Sequence, residues 1–275
     1  MKYRLISVFM LAVMGGIMLA IGYVNPYTDI ISLSELILQL SGSRGDLALG
    51  FSMNELLSFV MRMIPDFIFE ICFGTMIYQH LCTASVYVFS RYTKRLKWYF
   101  KEVLSLGALI ITYQLVLVIT VILITVLRYQ IQLNMAGIIL FLYHNILRGC
   151  WIFCMTLVIN ILSILFGSGF SFMGVMGLQI INITMLSLLN RIARMVDISL
   201  FERNIKWNLL AHLVLGWHES SLSIVDNILN PPYSGLELNN SVLIFVLLCI
   251  ITIFLGAILI NTHDLIVTNA EEGEI

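Results

Sequence analysis

Four stretches of this chain carry no charge over the length of a membrane crossing: Leu5–Val24, Val103–Leu127, Phe170–Asn190 and Ser241–Thr262. A helix needs about 20 apolar residues to cross roughly 30 Å of hydrocarbon. Within that layer a helix satisfies its own backbone hydrogen bonds, so each stretch reads as a transmembrane helix. Two more apolar stretches, about 66–84 and 147–166, carry ionisable residues and complete the set. The fold class expected is an all-α polytopic membrane protein. It has six transmembrane helices at about 5–24, 66–84, 103–127, 147–166, 170–190 and 241–262, in one transmembrane domain over 1–275.

Composition agrees. Charged residues make up 11% of the chain, against about 25% for a soluble domain. Basic and acidic residues number 15 and 16, a balance that argues neither for nor against a nucleic-acid partner, and none is expected. Cys72, Cys82, Cys150, Cys154 and Cys249 lie in or beside apolar runs, where cysteine packs as a small hydrophobe. Cys150 and Cys154 share a helix face, which leaves a disulfide or metal role as the alternative. Lys2 and Arg4 precede an apolar run longer than a signal-peptide core, so an uncleaved first span is expected.

Along the chain, span 1 stops at Asn25-Pro26, a polar loop follows at 42–46, and Asn54-Glu55 opens a short interfacial helix. Pro65 suits the first turn of span 2. Residues 131–147 read as a segment dipping into the outer interface before span 4. One long helix from Gly137 is equally allowed, and a separate crossing, which would invert spans 5 and 6, is the rival. Gly167-Ser168-Gly169 is a tight turn. Residues 191–240 form the longest polar stretch, expected to hold two short amphipathic helices on the outer face. Lys and Arg concentrate on the cytoplasmic side of membrane proteins. With both termini inside, Lys2, Arg4, Arg91, Lys94, Arg95, Lys97 and Lys101 fall on that side, the densest arrangement of positive charge available.

Ionisable residues inside spans are costly and are functional candidates by default. Asp66 and Glu70 stand one turn apart in span 2, with Arg62 one turn earlier and His80 further along. They form a possible intramembrane polar site. The plainer alternative is an Arg62–Asp66 pair at the interface, with His80 bonded to a neighbouring helix. Gly15-Gly16, and Gly174 with Gly177, allow close helix approach. The fourteen methionines read as packing rather than a metal conduit. There is no HExxH, no GxSxG, no Walker loop and no metal-ligand spacing. Glu271-Glu272 lies on a terminal tail. The chain therefore reads as a non-enzyme without a cofactor of its own.

The most informative local feature follows span 2. In Tyr87-Val88-Phe89-Ser90-Arg91-Tyr92, Lys94-Arg95 and Lys97-Trp98, closed by Lys101, basic and aromatic residues alternate on what reads as a cytoplasmic helix over about 85–101. Such a helix can anchor to anionic lipid or dock to a protein. With the span layout, this segment resembles the membrane (permease) subunit of an ABC-2-type exporter, closest to small permease-like proteins of Gram-positive bacteria. The resemblance implies that Arg91, Lys94, Arg95, Lys97, Trp98 and Lys101 couple the spans to a cytoplasmic ABC ATPase, which binds the ATP. It also implies a second permease subunit, identical or not, and a peptide, lipid-like or antimicrobial substrate. Two departures stand out: the first span begins almost at once, without the longer amphipathic helix of many relatives, and Arg148 interrupts span 4. The alternatives are a non-transporting scaffold or immunity protein and, behind it, a membrane enzyme using Glu70 and His80. Those two residues are ten apart, about 15 Å along a helix.

Overall fold

A computed structural model describes residues 2–26, 28–42, 53–87, 95–196, 205–229 and 236–262. The described residues form a helical bundle: α1 (Lys2–Tyr23), α2 (Leu33–Ser41), α3 (Met53–Phe73), α4 (Met76–Tyr87), α5 (Arg95–Arg128), α6 (Met135–Phe166), α7 (Ser168–Val196), α8 (Ser223–Leu229) and α9 (Leu238–Thr262). Five are long and apolar enough to cross a membrane: α1, α5, α6, α7 over Ser168–Leu186, and α9. Strands are vestigial. β1 (Ile30–Ser32) pairs in parallel with β2 (Gln130–Gln132), and β3 (His218–Glu219) with β4 (Leu236–Glu237).

Two contacts fix the direction of the first helices. At one end Arg4 of α1 bonds His80 of α4, which in turn bonds Glu102 of α5. At the other, the strands that follow α1 and α5 pair with each other. So α1 and α5 lie side by side and parallel, and their spacing is set by glycine. A Cβ on Gly16 would come 2.7 Å from Thr120 Cβ and 2.8 Å from the Leu117 carbonyl; on Gly15 it would come 3.0 Å from Pro65. Small residues are what let membrane helices touch in this way. Gly174 and Gly177 serve no such contact, since a Cβ on either meets nothing within 4 Å.

The return path through α3 and α4 is broken at Gly74-Thr75, where the expected span 2 is continuous. A break inside a bundle exposes backbone groups that must find partners. Asn160 of α6, buried among the helices, supplies them: its Oδ1 accepts from the N–H of Ile77 (2.7 Å) and Tyr78 (3.2 Å), and its Nδ2 donates to the Phe73 carbonyl (3.4 Å) and to the Thr156 carbonyl (2.8 Å). Pro65 lies well inside α3 rather than in its first turn, because the helix starts at Met53. The carbonyls beside it are taken up by neighbours, Pro65 O by the Tyr113 hydroxyl (2.7 Å) and Arg62 O by Arg148.

Three more expectations change. Span 4 starts at Met135, not near 147, so 135–166 is one helix and 131–147 makes no separate crossing. Asn134 caps it, accepting from Gly137 N (3.1 Å) and Ser34 N (3.2 Å), and so ties α2 to α6. Ser32 caps α2, which packs on α6. The basic residues from Arg95 onward are not a separate helix; they are the opening turns of the 34-residue α5. Between α7 and α9 the described residues hold one seven-residue helix, helical residues at 205–207 and two 3₁₀ turns; the rest of the stretch expected to hold two amphipathic helices, 197–204 and 230–235, lies outside the described residues. Gly167, at φ +81°, makes the expected turn into α7.

Candidate functional site: a buried polar column

Asp66 and Glu70, one turn apart on α3, are both fully buried. The partner of Asp66 is not Arg62 but Arg148 of α6: Arg148 Nε donates to Asp66 Oδ2 at 2.7 Å. Arg62, four residues before Asp66, turns instead over the ring of Tyr23 on its own side of α3, with its charged carbon 4.8 Å from the centroid. Arg148 also donates to the Arg62 carbonyl and, at 3.5 Å, to the Leu40 carbonyl. The residue that interrupts span 4 is therefore the counter-ion of the residue that opens span 2. Two charges taken out of water together cost less than either alone, and removing one of such a pair costs about 3–5 kcal/mol.

Glu70 is held differently. Its Oε2 accepts from Gln179 Nε2 of α7 at 2.7 Å, and among the described residues no cation neutralises it. Asp66 Oδ1, Glu70 Oε1 and Gln179 Oε1 are buried without a hydrogen-bond partner. An unpartnered buried polar atom costs about 1–3 kcal/mol, and native proteins keep few. The column therefore offers one neutralised ion pair and three acceptor oxygens between α3, α6 and α7. It can accept protons or hydrogen-bond donors in the interior of the bundle, but it holds no set of metal ligands among the described residues.

His80 does not belong to this column. It sits at the opposite end, where Arg4 donates to its Nε2, so its proton is on Nδ1 and goes to Glu102 Oε2 at 2.8 Å. The three residues tie α1, α4 and α5 together, as the plainer reading of an intramembrane histidine has it. Of the basic segment, Arg91 and Lys94 lie outside the described residues. Lys97 and Lys101 are exposed, and Trp98 packs on the core. Arg95, Lys97 and Lys101 stand in the first two turns of α5 with no acidic residue in the first turn. Cations in the first turn of a helix oppose its dipole. Tyr99 locks this end to α9: its hydroxyl donates to the Ile253 carbonyl (3.1 Å) in a space open only because residue 256 is glycine, where a Cβ would meet the hydroxyl at 2.1 Å.

A third cluster lies at the head of α9, its two histidines outside the spans. Ser241 Oγ, at the start of α9, contacts His212 Nδ1 (2.7 Å) and His218 Nε2 (2.8 Å), and the opposite ring nitrogens donate to the carbonyls of Lys206 and Val214. One hydroxyl proton faces two ring acceptors, so an added proton would find a place. Among the described residues no carboxylate is paired with either ring, and burial holds His212 below the usual range and His218 at about 4. Both rings are neutral at pH 7. Arg148, Gln179, Asn160 and this cluster were not singled out from the sequence as sites. Their only signal is a polar residue standing alone in an apolar run. No protein-family model matches the chain, and comparison with curated proteins and with solved structures gives no match either.

Proposed function

We propose that the chain is the membrane-spanning subunit of an ATP-driven exporter, moved by a separate cytoplasmic ATPase that grips the basic segment at 90–101. The observation that carries this reading is the mechanical continuity of α5. The helix runs without a break from Arg95 to Arg128, and its basic end is tied to α9 through Tyr99 and to α4 and α1 through Glu102, His80 and Arg4. A push on that end moves four helices at once.

In this reading α3 and α4 together make a sixth crossing. Their course supports it, from the β1–β2 end back to the Arg4 end. The start of α1 and the end of α9 then share the cytoplasmic side with the basic segment, in keeping with the positive-inside rule. The buried column of Asp66, Glu70, Arg148 and Gln179 lines or gates the path, and residues 205–229 cap its outer mouth. A second permease subunit and membrane lipid complete the assembly, and the ATP is bound by the partner. The test is purification in mild detergent with an assay for co-retained ATP hydrolysis. Arg95→Glu with Lys97→Glu is expected to lower the retained activity about thirtyfold or more, since two charge contacts worth about 1 kcal/mol each are lost and replaced by repulsion. Unchanged retention overturns the coupling role.

A further inference from the structure

Between α5, α6 and α9 a cleft of about 390 Å³ opens sideways, in the size range of small-molecule sites. Its lips are apolar and exposed: Ile111 and Leu115 on one side, Leu142 and Ile146 on the other. Its floor is not apolar. Gln114 lines the cleft while only 2% exposed, and neither its Nε2 nor its Oε1 has a partner. Asn145 lines it too; its Nδ2 donates to the Phe141 carbonyl (2.7 Å), but its Oδ1 is buried and unpartnered. The two side chains that line the cleft thus carry one donor group and two acceptors, buried at its wall, with nothing to bond.

Depth narrows the class of ligand. By the 1.5 Å rise per residue, Gln114 stands about 20 Å from both Glu102 and Arg128, the charged residues bounding the apolar stretch of α5. That is the middle of the hydrocarbon layer. A phospholipid headgroup does not reach it, and a bare acyl chain would fill the cleft while leaving the carboxamide unpaired. Among the described residues no charged side chain lines the cleft, and a charge at this depth is expensive. We infer that the cleft binds an uncharged, largely hydrocarbon molecule carrying one group that both donates and accepts a hydrogen bond, a hydroxyl or an amide, held by Gln114 and Asn145. This site is separate from the Asp66–Arg148 column and does not depend on the exporter reading.

Gly149 supplies a clean test. It lines the cleft, and a Cβ added there meets nothing within 4 Å, so a side chain can start from this position and Gly149→Leu is expected to fill the space. The full chain, reconstituted in vesicles, is irradiated with a diazirine-bearing dodecanol, its methyl ether or the plain diazirine hydrocarbon, and labelled residues are mapped by mass spectrometry. The alcohol is expected to label α5, α6 and α9 at the cleft, to exceed the hydrocarbon there about fivefold, and to fall to the hydrocarbon's level in Gln114→Leu. Gly149→Leu should abolish cleft labelling by all three probes, and excess N-dodecylacetamide should compete with the alcohol. Thermal unfolding of both variants at or above the parent's temperature shows that the fold is kept. Alcohol labelling that is spread evenly over the lipid-facing helices, or unchanged by Gly149→Leu and Gln114→Leu, means annular lipid or trapped water and overturns the site.

Discussion

At the head of α9, both nitrogens of His212 and of His218 have a neighbour to bond, and the two rings are buried neutral. Between α3, α6 and α7, a guanidinium and two carboxyl groups are buried, and three oxygens of the cluster have no partner. The first cluster is a fastener: it ties the loop after α7 to the start of α9 through one shared hydroxyl, with no charged group in it. The second is assembled at greater cost and left incomplete, which makes it a candidate site rather than a simple fastener.

The sharpest way to break this contrast is to strip the column of its cation. Arg148→Leu leaves Asp66 buried with no counter-charge and should cost about 3–5 kcal/mol, read as a large fall in unfolding temperature in detergent. Adding Asp66→Leu should recover most of that loss; if it does not, the pair is not coupled as described. Asn160→Leu comes next. It orphans two N–H groups and one carbonyl at the α3–α4 break and should cost about 2–4 kcal/mol.

The fastener has its own signature, in pH. The rings of His212 and His218 resist protonation in the folded chain, whereas an unfolded histidine titrates near 6.5. The unfolded state therefore binds protons first as pH falls. Stability should be complete above about 6.5 and decline toward the folded value of about 4. Hydrogen exchange over residues 205–229 should rise across that window while α5 stays protected. The smallest stability effect is expected at Glu70→Gln, within about 1 kcal/mol, because no cation loses a partner and a carboxamide can still pair with Gln179. If the column serves transport, the same variant loses transport while keeping its fold. Loss of both would make Glu70 another fastener.

These contrasts also separate what the chain declares from what it conceals. The long uncharged runs of α1, α5, α7 and α9 are readable because a bilayer demands a fixed length and forbids charge. The Gly15-Gly16 approach is readable because only small residues permit it. The break at Gly74 is hidden because its stabiliser, Asn160, is 83 residues from the N–H it caps. Arg148 stands out as an interruption of a span, but the partner expected for Asp66 is Arg62, whereas the structure pairs it with Arg148. A sequence shows Arg62 one turn from Asp66 and does not show that α6 brings another guanidinium across the bundle. Likewise Gln114 is visible only as a lone polar letter, and its meaning depends on the cleft that α6 and α9 build around it.

The central claim is that the basic start of α5 faces the cytoplasm, where a motor can grip it. The direct measurement uses a cysteine-free background carrying Lys97→Cys, Ser168→Cys or Ser220→Cys, and an impermeant maleimide added to intact cells. The account expects residue 220 to label from outside and residues 97 and 168 to label only after permeabilisation. Labelling of residue 97 from outside would contradict it.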